Sequence, residues 1–197
     1  MVESMSASSH EEIRVIALAE FARAGYAGTS IQRVAELAGL SKSSVLYHFA
    51  SKEALLESTV GPAIDRMERI LDELALEEFS GERRTAFVSD FVDLLLEHRL
   101  EVSTFLMQGP SLIDVPVIDR ANALVDRIAA FFVEAAPTTE GHLRFGIALG
   151  GAAYILGSHL GADHKPELPV DEIRAALITI LTELLAPVPV RHLSPLE

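Results

Sequence analysis

The chain of 197 residues contains no cysteine, which excludes a disulfide framework and any metal site built on thiolates. Its N-terminus lacks a charged stretch followed by an apolar one, so no secretory leader is read there and the cytoplasm is the expected compartment. No stretch alternates apolar and polar residues long enough to make a strand, so the expected fold class is all-α. The most apolar run, Phe145 to Ala162, is too short for a bilayer and carries glycines, Ser158 and His159. It is therefore expected to be a buried helix, in which Gly146, Gly150, Gly151, Ala153, Gly157 and Gly161 let another helix approach closely. Catalytic signatures are missing too: there is no Gly-x-Ser-x-Gly elbow, no glycine-rich phosphate loop and no His-Glu-x-x-His pair. Ser44 and His48 are four apart, but no carboxylate stands near to orient the imidazole, so no catalytic residue is assigned. His98, His142, His159 and His164 are scattered, and the last two, five apart, do not share a helical face, so no metal or other cofactor is expected.

Positive charge is also scarce. The formal net charge is −13, unevenly distributed: residues 1–60 sum to −2 and residues 61–197 to −11. Between Thr29 and Leu56 the balance turns slightly positive, with Arg33, Lys42 and Lys52 against Glu36 and Glu53. An acidic body repels nucleic acid everywhere except at such a head, so any DNA affinity must come from a few placed contacts and from dimerisation.

That head is where the pattern is densest. Thr29-Ser30-Ile31-Gln32 reads as a capping box, with the Thr29 hydroxyl starting a helix. Ile31, Val34, Ala35 and Ala38 give it one apolar stripe, and Gly39 ends it. After the turn Gly39-Leu40-Ser41, Ser41 caps a second helix that carries Lys42, Ser43, Ser44, Tyr47 and His48 outward while Val45, Leu46 and Phe49 can turn inward. Helix, short glycine-containing turn, and helix with hydrogen-bonding side chains near its start is the geometry that enters a DNA major groove. Lys42, Ser43 and Ser44 are placed to reach base edges. Tyr47, His48 and Thr29 are read as phosphate contacts, with a half-buried packing role for Tyr47 as the alternative. Ser51 caps a further helix whose first turn offers Lys52 to a phosphate.

The run from Thr29 to Ala35, continued by Ala38 to Phe49 and by Ser51-Lys52-Glu53-Ala54-Leu55, resembles the DNA-binding domain of the tetracycline-repressor (TetR) family. The resemblance covers roughly the first third of the chain. It implies phosphate roles for Tyr47, His48 and Lys52. Leu46 departs from the family pattern, standing where many members hold a phosphate with a tyrosine; here it is left to packing or to a thymine methyl.

Residues 1–9 are read as a mobile tail, 10–56 as a three-helix DNA-binding domain, 57–186 as a helical regulatory and dimerisation domain, and 187–197, with Pro187, Pro189 and Pro195, as a non-helical tail. Ile13, Ile16, Ala17 and Phe21 mark the first helix, stopped by Gly25. Gly61-Pro62 implies a kink or a new helix start, and either a hinge or a fixed bend fits it. By resemblance the last two long helices pair with their two-fold mates, while packing within one subunit is the alternative. Phe91, Phe105, Met107, Phe131 and Tyr154 are candidates to line a pocket for a neutral or cationic, largely apolar effector. The expected protein is thus a homodimeric repressor, released from a palindromic operator in double-stranded DNA by a small molecule. An activator with the same head, or a ligand-binding dimer that no longer reads DNA, stands as the alternative.

Overall fold

The computed structural model describes residues 2–76, 79, 81–109, 112, 114–158 and 169–187. Among them there are only helices and connections, as the missing strand pattern implied. Helix α1 (Val2–Gly28) buries Ile13, Ala17 and Phe21 completely, and Gly25 adopts φ 79°, breaking the helical path where the sequence placed a stop. Its start differs from expectation. Residues 2–9, read as a mobile tail, are helical. Neither glycine nor proline occurs between Val2 and Ala24, so a helix nucleated further along extends through them at little cost per residue.

Helices α2 (Ile31–Leu37) and α3 (Lys42–His48) follow, separated by a turn in which Gly39 takes φ 66°. The Leu40 N–H donates to the Ala35 carbonyl at 2.8 Å, closing the left-handed helix end that glycine makes possible. Helix α4 (Lys52–Ala75) runs unbroken through Gly61-Pro62, so no new helix begins there. Pro62 faces solvent, which can satisfy the carbonyl its missing N–H leaves behind. The Ser58 and Thr59 hydroxyls just before it donate to the carbonyls of Leu55 and Leu56 at 2.8 and 2.6 Å.

Helices α5 (Gly81–Glu97), α6 (Arg99–Gln108) and α7 (Pro116–Ala135) build the larger body around α4. Its centre is aromatic. Phe132 of α7 stacks on Phe145 with centroids 3.8 Å apart and meets Phe87 of α5 at 5.5 Å and Phe79 at 5.8 Å. Outside this core Arg120 clasps Asp65 at 2.6 Å and also Glu68, and Arg127 pairs with Asp72 at 2.7 Å, tying α7 along α4.

The apolar run after Thr138, whose hydroxyl caps its first turn, becomes α8 (Thr139–Phe145), a π-helical turn (Gly146–Gly150) and α9 (Gly151–Ser158). It is not the wholly buried helix expected. Leu143, Ile147, Tyr154 and Ile155 face outward, and space is open around Gly146, Gly150 and Gly151. Among the described glycines from Gly146 to Gly157, Gly157 alone serves close packing, since a Cβ there would lie 3.3 Å from Ser103 Cα in α6. Gly161 lies outside the described residues, as do His159, His164, Pro189 and Pro195. Helix α10 (Val170–Leu184) presses Leu177 and Leu181 inward and leaves Ile180 exposed, so its long stripe is only half used within the chain.

Arg174 docks α10 on α5 by a two-pronged contact with Asp93, at 2.6 and 2.8 Å, and a bond to Ser89. The guanidinium holds the Asp93 carboxyl below its usual range. A depressed carboxyl contributes stability above its unfolded value and loses it as pH falls through the folded one. The melting-temperature gap between the wild type and Arg174→Met is thus expected to be full at pH 7 and to shrink below about pH 3.9, the ordinary aspartate value. Thermal melts across pH 7 to 3 check it.

Candidate nucleic-acid interface

The proposed reading surface is built from α2, α3 and the start of α4. Its foundation is apolar: Val34, Val45 and Phe49 are buried against Ile13, Ala17 and Phe21 of α1. With Val45 and Phe49 setting the inward direction of α3, Lys42, Ser43 and Tyr47 necessarily look outward. Tyr47 is 85% exposed, which removes the half-buried packing alternative. Leu46, expected to turn inward, is 39% exposed instead, because it sits one residue round the helix from Val45. A packing role for it falls away.

At the α3 start the Ser41 Oγ accepts from the Ser44 N–H at 3.1 Å and lies 2.9 and 2.7 Å from the hydroxyls of Ser43 and Ser44. Three hydroxyls therefore share one cap, beside the free side chain of Lys42. At the other end His48 is half-buried, its ring edge-on to Tyr47 at 5.5 Å and 6.0 Å from His10 of α1. The His10 ring also lies 4.3 Å from Phe49, so an α1 residue that the sequence reading did not single out braces the end of α3.

Thr29 requires correction. It is 2% exposed, and its hydroxyl donates to the Gly25 carbonyl at 2.8 Å, with the Glu20 carbonyl at 3.3 Å. The cap of α2 is Ser30, whose Oγ accepts from the Arg33 N–H at 3.1 Å, and Gln32 bonds forward to Glu36 rather than back. The break at Gly25 leaves a carbonyl that the adjacent Thr29 satisfies, so Thr29 cannot face a phosphate.

Lys52 opens α4 behind the Ser51 cap, which accepts from the Ala54 N–H at 3.1 Å. Its Nζ lies 4.0 Å above the centre of the Tyr26 ring, a cation–π contact that sets the direction of the side chain. Burial pushes the Lys52 ammonium below its usual pKa. The Tyr26 hydroxyl donates to Glu53 at 3.1 Å, and burial, then this carboxylate, raise the phenol to about 12. Tyr26 was not legible as a site residue, since no local spacing connects position 26 with 52.

The five pocket candidates are not brought together. Phe91 is buried in the core, Phe105 and Phe131 pack on it, and Met107 and Tyr154 are exposed. Aromatic residues at helical spacing close their own core here: Phe131 meets Phe132 edge-on at 5.0 Å. Two clefts lie elsewhere among the described residues, and none of the five lines either. One of about 370 Å³ runs between α7 and the π-helical turn, lined by Val125, Ile128, Phe132, His142, Phe145 and Leu149. The other, about 220 Å³, lies between Phe79, Arg84, Phe145 and Leu184. His98 bonds Glu101 at 3.2 Å, and no group of three metal-ligating side chains occurs among the described residues. No helix among them is long and apolar enough to cross a membrane.

Residues 13–59, which contain this whole surface, match the sequence model of the bacterial regulatory proteins of the tetR family. This segment is of the TetR type. Among curated relatives, the HTH-type transcriptional regulator RutR of Escherichia coli K12 is 32% identical over 112 residues, 57% of this chain and 49% of RutR. The chain thus spans about half the length of that relative. The TetR fold extends further than the sequence likeness. The ketosteroid transcriptional regulator KstR2 of Mycobacterium tuberculosis superposes with a TM-score of 0.73 at 16% identity, over 88% of this chain and 93% of that one. The structure of AibR in complex with isovaleryl coenzyme A and operator DNA gives 0.65 at 22% identity, over 88% and 98%. RutR and KstR2 are named as regulators of transcription, not as enzymes.

Proposed function

We propose that the protein is a homodimeric, sequence-specific repressor that releases a palindromic operator when a small molecule binds. The observation that carries the DNA reading is the outward face of α3: Lys42, Ser43 and Tyr47 exposed on a short helix whose inner face is anchored by Val45 and Phe49. Lys42, Ser43 and Ser44 read base edges in the major groove, and Leu46 meets a thymine methyl. Tyr47, His48 and Lys52 hold the phosphate backbone. Support for the dimer comes from Leu143, Ile147 and Tyr154 on α8, the π-helical turn and α9, and from Ile180 on α10, all exposed in the single chain. Two such heads reach half-sites about 34–36 Å apart.

The effector site fits the cleft between α7 and the π-helical turn better than the five aromatic candidates. Its volume, about 370 Å³, suits a small ligand. His142 alone among its lining side chains is polar, so the cleft favours a largely apolar molecule. AibR, which shares this fold, is found with both isovaleryl coenzyme A and operator DNA bound, so the fold accommodates a small molecule as well as an operator.

Two substitutions separate the assigned roles. Lys42→Ala is expected to cost about 1–3 kcal/mol on the cognate site and to relax sequence preference at the base it reads. Tyr47→Phe should weaken all duplexes by a similar factor. Fluorescence anisotropy on cognate and scrambled duplexes measures both. Unchanged binding in both variants would remove the assignment.

A further inference from the structure

One side chain joins the regulatory body to the reading head with both of its polar atoms. Gln108, the last residue of α6, donates from Nε2 to the Phe21 carbonyl at 2.7 Å and accepts at Oε1 from the Tyr26 N–H. These two backbone groups flank Gly25, where φ 79° breaks α1. A Cβ at Gly25 would lie 3.7 Å from Oε1, so the amide sits closely over the break. Phe21 and Tyr26 are more than 80 positions away in the chain, so the contact is purely tertiary. Glutamine suits it because one planar group supplies a donor and an acceptor; glutamate lacks the donor, and methionine lacks both at the same length.

Tyr26 is held from every side. The Thr29 N–H donates to its carbonyl at 3.2 Å, its ring packs on Phe21 at 5.5 Å, its hydroxyl bonds Glu53, and Lys52 Nζ rests on its face. The backbone of Tyr26 is thus held at N–H and carbonyl and its ring by Phe21 and Glu53, which presents one face to the lysine above it.

The geometry points to Gln108 as a positioning residue: through the backbone and ring of Tyr26 it sets the place of Lys52, so that a shift of α6 displaces the phosphate anchor directly. The inference rests on the DNA reading above for its functional consequence, not for its geometry. It adds a polar route from α6 to the anchor, by way of α1, to whatever movement α4 itself makes. A displacement of α6 by about an ångström suffices, since a hydrogen bond weakens steeply beyond its ordinary length.

The test uses the full chain with Gln108→Met. Lys52 is followed by the NMR resonance of its ε-methylene group, assigned by its loss in Lys52→Arg, with Lys42 as the free reference. In the wild type the Tyr26 ring shifts this resonance away from that of Lys42. In Gln108→Met it should return toward it, while the melting transition stays cooperative. Affinity for duplex DNA from the upstream region should fall at least about fivefold, the low end of ordinary coupling between sites. On a Lys52→Ala background the same substitution should cost nothing further. An unmoved Lys52 resonance in folded Gln108→Met overturns the proposal, and so does an equal loss of affinity on the Lys52→Ala background. If the wild type binds no duplex, the DNA reading fails, and the Lys52 resonance alone still decides whether Gln108 positions it. Should the methionine variant not fold, Gln108→Glu makes the same comparison, since it keeps an acceptor for Tyr26 and sets a carboxylate oxygen against the Phe21 carbonyl in place of the donor.

Discussion

Leu143→Asp combined with Ile147→Asp should give a folded monomer whose operator affinity is about 10²–10⁴-fold weaker, the gain that linking two binding modules ordinarily supplies. Both side chains are 62% exposed in the single chain, one turn apart on α8 and the π-helical turn. Carboxylates there meet water in a monomer and cost little. In a two-fold interface they would be buried without partners, at a penalty of several kcal/mol per charge. Light scattering reports the oligomeric state, anisotropy the affinity, and far-UV circular dichroism the retained helix. A doubly substituted protein that stays dimeric would move the interface away from these helices.

Phe132→Ala should cost about 3–5 kcal/mol, the usual range for truncating a buried aromatic. Phe132 is buried on α7, where it stacks on Phe145 and meets Phe79, Phe87 and Phe131, so the cavity would open at the junction of α5, α7 and α8. Four neighbouring rings cannot all collapse into the vacated space, which puts the cost toward the upper end. Against a total stability of about 5–15 kcal/mol for an ordinary domain, the loss would dominate. Urea denaturation measures it, and Phe132→Leu, which refills most of the volume, should lose much less. A small effect in Phe132→Ala would mean that the aromatic cluster does not hold these helices together.

The parts of this protein that could be read directly from its sequence are those whose signals are local. Ser41, Gly39 and the Val45–Phe49 spacing act within a turn or two, and the structure places the turn and the outward face of α3 where they imply. Adjacent alternatives are harder. Thr29 and Ser30 both suit a helix cap, and the choice between them depends on Gly25, whose broken path gives the Thr29 hydroxyl a carbonyl to satisfy. Leu46 shows a similar limit, since on a seven-residue helix one residue separates the buried face from the exposed one.

Contacts between distant positions left no trace in any window. Nothing near Tyr26 announces Lys52, and nothing near Gln108 announces Phe21. Aromatic content misled in the opposite direction. Phe91 and Phe131 looked like pocket walls because large apolar side chains suit ligands, but the same side chains suit one another, and the core claimed them first. The larger of the two described clefts mixes Phe132 and Phe145 of that core with small residues such as Val125, Ala129, Gly146 and Gly150, whose spacing carries no signal of its own.

The measurement that bears most directly on the account is fluorescence anisotropy of the purified protein on a labelled duplex from its own upstream region, against a scrambled duplex, at two salt concentrations. The account predicts tight binding to the first and weak binding to the second, because a chain of net charge −13 has little non-specific affinity to offer. Both should weaken as salt rises, in proportion to the few phosphates neutralised by cations such as Lys52 under the proposed roles. Equal affinity for the two duplexes would contradict the central claim, leaving α3 as an exposed helix that reads no sequence.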